Sequence, residues 1–130
     1  MTITRHDVPV SDGPRIPVWT SGAGRPLLIV HGGMVDHEAW EPVREHLDGS
    51  LRVAIMDRRT SFENPLTPHD IETEFSDVAP VMEFLGDEVD LLGHSTGGLI
   101  ALGAALQASN LRRLVLYEGG LMSPEFRAEL

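Results

Sequence analysis

The sequence predicts an α/β fold with three layers, built around a mostly parallel sheet of about six strands. Three observations carry this expectation. From Pro26 onward, strand-like and helix-like stretches alternate. The strand-like runs, Pro26-Leu27-Leu28-Ile29-Val30 foremost, are apolar at consecutive positions rather than at every second one, as strands covered on both faces are. Finally, Gly93-His94-Ser95-Thr96-Gly97 joins an apolar strand to a helix rich in Gly and Ala, a junction that such a sheet supplies at its carboxyl edge.

Thr2 to Val10 reads as the first strand, and the turn Ser11-Asp12-Gly13-Pro14 passes to a second at Arg15 to Thr20. The third, Pro26 to Val30, stops at His31-Gly32-Gly33. Asp36 is placed to cap a helix through Leu47, with Trp40, Val43 and Leu47 at helical spacing. Leu51 to Met56 is the next buried strand, ending at Asp57. A polar loop follows to Thr67, which with Pro68 and Asp70 reads as a helix start. In that helix Ile71, Phe75, Val78, Met82 and Leu85 share a face, and Pro80, which lacks an amide hydrogen, is expected to kink or split it. Val89 to Leu92 is a strand, Thr96 to Gln107 a helix and Leu111 to Tyr117 the last strand. Ser123-Pro124-Glu125 opens one more helix.

The 130 residues fit one domain, and their net charge of −10 argues against nucleic acid, whose phosphates they would repel. Every basic residue is Arg, scattered apart from the pairs Arg58-Arg59 and Arg112-Arg113. With no cysteine, disulfides, thiolate chemistry and cysteine-held metals are excluded. No signal peptide or membrane helix is visible, so the expectation is a cytoplasmic protein with no cofactor.

A serine hydroxyl is a weak nucleophile, and it must be held exposed near a base and near donors for a developing oxyanion. A tight strand-to-helix turn at Ser95 meets the first need, provided the residues two before and two after are small; they are Gly93 and Gly97. The helix from Thr96 aims its free amides and positive dipole end at the same point. The alternative reading is a glycine-rich turn with a solvated serine. The strand before the motif and the small-residue helix after it, with Gly98, Ala101 and Ala104, favour the nucleophile.

With these residues in these places the sequence resembles the α/β-hydrolase family from Ile3 to about Glu118. Family members carry the nucleophile elbow after the fifth strand, where Ser95 falls. They also end the third strand in His-Gly, here His31-Gly32-Gly33, and place a tryptophan on the next helix, here Trp40. The resemblance implies that residues 1–130 form the first six strands of an eight-stranded sheet, a single partial domain. It implies oxyanion donors at the amides of Gly33 and Thr96, and a structural role for His31. The reaction implied is acyl transfer to water from an ester-like small molecule. Amide, carbon–carbon bond and peracid chemistry stay open, and no nucleic-acid or membrane partner is implied.

Two departures accompany the resemblance. Of the family's Asp-x-Arg-Gly-x-Gly-x-Ser after the fourth strand, Asp57 and Arg59 match, but Thr60, Phe62 and Asn64 replace the glycines and serine. A displaced or mobile loop from Asp57 to Thr67 is the expectation. The family's general-base histidine follows the last strand, and this chain has none after Ser95. A catalytically inactive fragment or pseudoenzyme, binding a small molecule or partner, is therefore the alternative. His94 is expected to point away from the serine's face, and His6, His37, His46 and His69 to be surface or helix-end residues. Glu118 ends the sixth strand, where a minority of the family place the triad acid; a solvated strand-end carboxylate is its other reading. A metal held by His31, His37 and Asp57 has no recognised ligand spacing. The last strand, if left as an edge, is expected to favour self-association.

Overall fold

In a computed structural model, residues 2–11, 13–63 and 68–118 are described. Six strands form one sheet in the order β1-β2-β4-β3-β5-β6: β1 Thr4–Pro9, β2 Arg15–Ser21, β3 Pro26–Val30, β4 Arg52–Met56, β5 Val89–His94 and β6 Leu111–Tyr117. The β1–β2 hairpin and the β2–β4 pair are antiparallel, while β4, β3, β5 and β6 run parallel. The helices are α1 Glu41–Leu47, α2 Ile71–Leu85 and α3 Thr96–Ala105, with single 3₁₀ turns at His37–Trp40 and Arg59–Ser61.

Alternate residues of the parallel strands enter two separate cores. Leu27, Ile29, Val53 and Ile55 pack with Trp40 on one face, against Val43 and Leu47 of α1. Leu28, Val30, Ala54 and Met56 face the other way, onto Val78, Val81 and Met82 of α2 and Ile100, Ala101 and Ala104 of α3. This two-sided burial is why those strands are apolar without alternation. The α2–α3 contact is close: a Cβ on Gly103 would lie 2.5 Å from the Phe75 ring.

The chain steps from β3 to β4 in one direction, then crosses back to β5 on the other side of β3. Right-handed crossovers in opposite directions put α1 and the α2–α3 pair on opposite faces. The carboxyl ends of β3 and β5 flank the reversal, the point at which open α/β sheets form a crevice.

Three helix expectations need correction. The helix expected from Asp36 to Leu47 is a 3₁₀ turn followed by α1, because Pro42 sits in the first turn of α1 and supplies no amide to bond backward. The cap of α2 is Asp70 rather than Thr67: its Oδ1 accepts from the Thr73 amide at 3.1 Å and hydroxyl at 2.8 Å. These bonds hold the Asp70 carboxyl below its ordinary value. Pro80 does not split α2, whose residues on both sides of it, Val78 and Val81, are fully buried against the sheet. The helix expected at Ser123 lies outside the described residues.

The loop after β4 also differs from expectation over residues 57–63. Arg58 is 5% exposed and Arg59 4%. Arg58 donates to both oxygens of Glu74 at 2.8 and 3.1 Å, and Arg59 to both oxygens of Asp77 at 2.7 and 2.6 Å. Two forked ion pairs lock this stretch to α2. Residues 64–67 lie outside the description.

Candidate active site

Between β5 and α3 there is one residue, Ser95, at φ 54° and ψ −121°. A non-glycine residue there costs on the order of 1–3 kcal/mol and persists only where its surroundings over-determine it. They do so here by excluding side chains on both sides. A Cβ on Gly93 would strike the Gly97 carbonyl and the Ala101 side chain, and one on Gly97 the carbonyls of Val30 and His31. The Ser95 amide donates to the Tyr117 carbonyl at 3.1 Å, and its own carbonyl accepts from Gly98 at 2.8 Å. Ser95 is exposed at the apex, with buried glycines directly behind it.

Facing it is the loop after β3. His31 is fully buried, and its Nε2 accepts the Arg58 amide at 3.0 Å. The ring proton therefore sits on Nδ1, which donates to the Gly32 carbonyl at 2.7 Å. Burial is the main reason that the His31 pKa lies below 6.5; the Arg58 charge adds to it, and the Gly32 bond opposes it. A Cβ on Gly32 would lie 3.5 Å from Ser95 Cβ, and one on Gly33 would lie 3.8 Å from Thr96 Oγ1. The glycine loop thus runs directly alongside the turn. As the first residues of a helix, Thr96 and Gly97 have amides without intrahelical acceptors.

The turn and the loop share a cavity of about 350 Å³. Gly32, Gly33 and Ser95 line it with three rings, Trp40, His94 and Tyr117. The ring centroids are 5.2 to 6.3 Å apart. Val35 and Ala39 separate it from a wider hollow of about 800 Å³, which reaches Met34 and Thr60. An exposed hydroxyl, adjacent helix-start amides and a largely apolar wall can support attack on a carbonyl and shelter the charge that develops.

The family model for the alpha/beta hydrolases matches residues 27–130. The chain belongs to the alpha/beta hydrolase family. Over 102 residues it is 33% identical to a soluble epoxide hydrolase of Corynebacterium sp. strain C12, an alignment spanning 76% of this chain and 35% of that protein. Over 112 residues it is 32% identical to a pimeloyl-[acyl-carrier protein] methyl ester esterase of Aliivibrio salmonicida, covering 85% of this chain and 41% of the esterase. Among solved structures, an esterase from Exiguobacterium antarcticum superposes with a TM-score of 0.83 at 29% identity, covering 91% of this chain and 46% of that one. The chain spans about two-fifths of the length of these hydrolases.

Against this alpha/beta hydrolase frame, the remaining expected site residues divide. Gly33, Ser95 and Thr96 come together, whereas Glu118 does not join them. It is exposed just past β6 at φ 48° and is absent from the wall of the Ser95 cavity. His94 does not turn away, since it lines that cavity and its Nδ1 would be 3.2 Å from a Cβ on Gly32. All six histidines are described, and no hydrogen bond links one to the Ser95 side chain. His31 cannot ligate a metal with the tautomer it has, because both ring nitrogens are engaged.

His37 and Asp57 do meet, with Asp36 beside them. The contact is a hydrogen bond from His37 Nδ1 to Asp57 at 2.8 Å. Trp19 Nε1 donates to the same carboxylate at 3.1 Å. The sequence had set His37 and Asp57 side by side only as metal ligands with His31; their hydrogen bond, and the part of Trp19, were not foreseen. Among the described residues, no helix is long and apolar enough to cross a membrane.

Proposed function

We propose that this chain carries the nucleophile and the oxyanion donors of an ester-cleaving hydrolase. Ser95 Oγ attacks the carbonyl carbon, and the amides of Gly33 and Thr96 receive the oxyanion. The alcohol then leaves, and water hydrolyses the acyl-serine. The observation that carries the reading is the exposed, positive-φ Ser95 set against the glycine loop.

The chemistry of the nucleophile separates esters from epoxides. Serine attack on an ester leaves an acyl-serine that water can open, whereas attack on an epoxide would leave a stable ether on the enzyme. Among the described residues, the wall of the smaller cavity carries no Asp, Glu or Arg. This favours a small uncharged group, as an acyl or alcohol portion, beside Ser95. The general base is proposed to come from outside residues 1–130, since no histidine here engages Ser95; Glu118 could at most orient it.

Mass spectrometry of the chain treated with p-nitrophenyl acetate, with imidazole added as an external base, tests this reading. The acetyl group should appear on the Ser95 peptide and vanish in Ser95→Ala. Without added base, turnover should be negligible. Saturable binding of the ester with no acetyl transfer would instead favour the binding-only alternative.

A further inference from the structure

The loop that presents Gly33 is fastened at both ends to two consecutive residues. At its start, His31 Nε2 accepts the Arg58 amide at 3.0 Å. At its end, His37 donates its backbone N–H and its Nδ1–H to Asp57 Oδ1, each at 2.8 Å. Asp57 is itself held by Trp19 Nε1 at 3.1 Å and through its own amide to the Pro17 carbonyl at 2.9 Å. The Trp19 ring stacks on His37 with centroids 4.2 Å apart and planes 15° apart.

Midway between these anchors, directly after Gly33, Met34 adopts φ 63°. Such a conformation at a non-glycine residue survives only under outside restraint. Met34 cannot supply it by packing, because its side chain is fully exposed, at 106%. The restraint must come from the ends of the loop. Of the two ends, the His37 anchor is the stronger, with two donors on one buried carboxylate.

We infer that Asp57 is a positioning residue: acting through His37, it holds the left-handed turn at Met34 and so fixes the direction of the Gly33 amide toward Ser95. This rests on the proposed roles of Ser95 and Gly33. Asp57 touches no reacting atom. Its loss should lower the maximal rate of Ser95 acylation and leave the half-saturating ester concentration unchanged, because the amide is needed for the oxyanion and not for the ground state.

The test is the imidazole-assisted acetylation of Ser95 by p-nitrophenyl acetate in the 130-residue chain. Asp57→Asn keeps the shape but removes the charge and one acceptor, and the maximal rate should fall by about 10²-fold, as for loss of one oxyanion donor. Adding Met34→Gly, which adopts positive φ without strain, should recover most of that loss. In the ¹⁵N spectrum, Asp57→Asn should displace the Gly33 amide far more than the Thr96 amide. If Asp57→Asn does not fold, His37→Asn, whose amide can replace the Nδ1–H donor, should retain the rate that His37→Leu loses. Acetylation of Asp57→Asn and His37→Leu at the parent's rate overturns the positioning role alone. A slowed Asp57→Asn that Met34→Gly does not rescue does the same, since that is mere destabilisation. A parent chain never acetylated at Ser95 overturns the nucleophile reading, and this inference with it.

Discussion

Glu74→Gln tests how the stretch after β4 is held. Arg58 and Glu74 have side chains 5% and 7% exposed and share two hydrogen bonds, while Arg58 Nη1 is buried with no acceptor. Burial pushes the Glu74 carboxyl upward, but the Arg58 hydrogen bonds and charge, joined by His69, outweigh it and hold the group below 4.5. Neutralising Glu74 strands a guanidinium that has little water to turn to. Breaking a buried pair from one side costs about 3–5 kcal/mol, and the retained Gln carbonyl places this change near 3. For a domain of this size the melting temperature should drop by roughly 10 °C. Glu72→Gln, on the exposed side of the same helix, should stay within about 0.5 kcal/mol of wild type. Urea titrations of the three proteins at pH 7 and below pH 4 provide the assay. A depressed folded-state carboxyl stabilises above its unfolded value of 4.5 and loses that contribution as pH falls through the folded value. The gap between wild type and Glu74→Gln should therefore be full at pH 7 and close in acid. Equal midpoints at pH 7, or a gap that widens in acid, would refute the reasoning.

Three further outcomes are expected. Gly97→Ala should abolish Ser95 acylation and destabilise the chain by several kcal/mol, because its Cβ meets the backbone carbonyls of Val30 and His31, which cannot rotate away; a folded, active variant by circular dichroism and acetylation would contradict this. His31 binds its proton less readily folded than unfolded, so its contribution is complete above pH 6.5 and declines as pH falls below it. In urea titrations His31→Gln, whose carbonyl can accept the Arg58 amide, should lose less stability between pH 7.5 and about pH 5 than wild type does. Strand β6 pairs only with β5 among the described residues, and Val115 and Tyr117 are 47% and 53% exposed. The chain should self-associate in light scattering, and Val115→Lys should shift it toward monomer.

Local patterns in the sequence were enough to reveal the strands and the Ser95 turn. Short apolar runs bounded by turn residues, such as Leu27 to Val30, read as interior strands, and Gly93 and Gly97 bracket Ser95 at the spacing that lets the turn close. Features that depend on distant residues were out of reach. Arg59 and Asp77 are 18 residues apart, and Trp19 and Asp57 38; no periodicity relates them. The loss of the family's glycines at Thr60 and Phe62 suggested a displaced or mobile loop from Asp57 to Thr67, and over 57–63 two arginines are buried against α2 instead. Pro80 misled for a related reason: the local cost of a missing hydrogen bond is smaller than the burial of Val78, Val81, Met82 and Leu85 that keeps α2 whole. His94 was misjudged because opposite-face alternation between neighbours holds only within a strand, and Ser95, at φ 54°, has already left β5 while His94 is its last residue.

The reversal of strand order between β3 and β5 divides labour between main chain and side chains. At the seam, the amides of Gly33 and Thr96 and the backbone of Ser95 are set by strands locked in register, Val30 opposite Gly93. The wall is set by interchangeable rings from different layers, Trp40 ahead of α1 and Tyr117 at the end of β6. Evolution can therefore retailor the wall without disturbing the amides, a freedom suited to a frame shared by proteins named as esterases and as epoxide hydrolases.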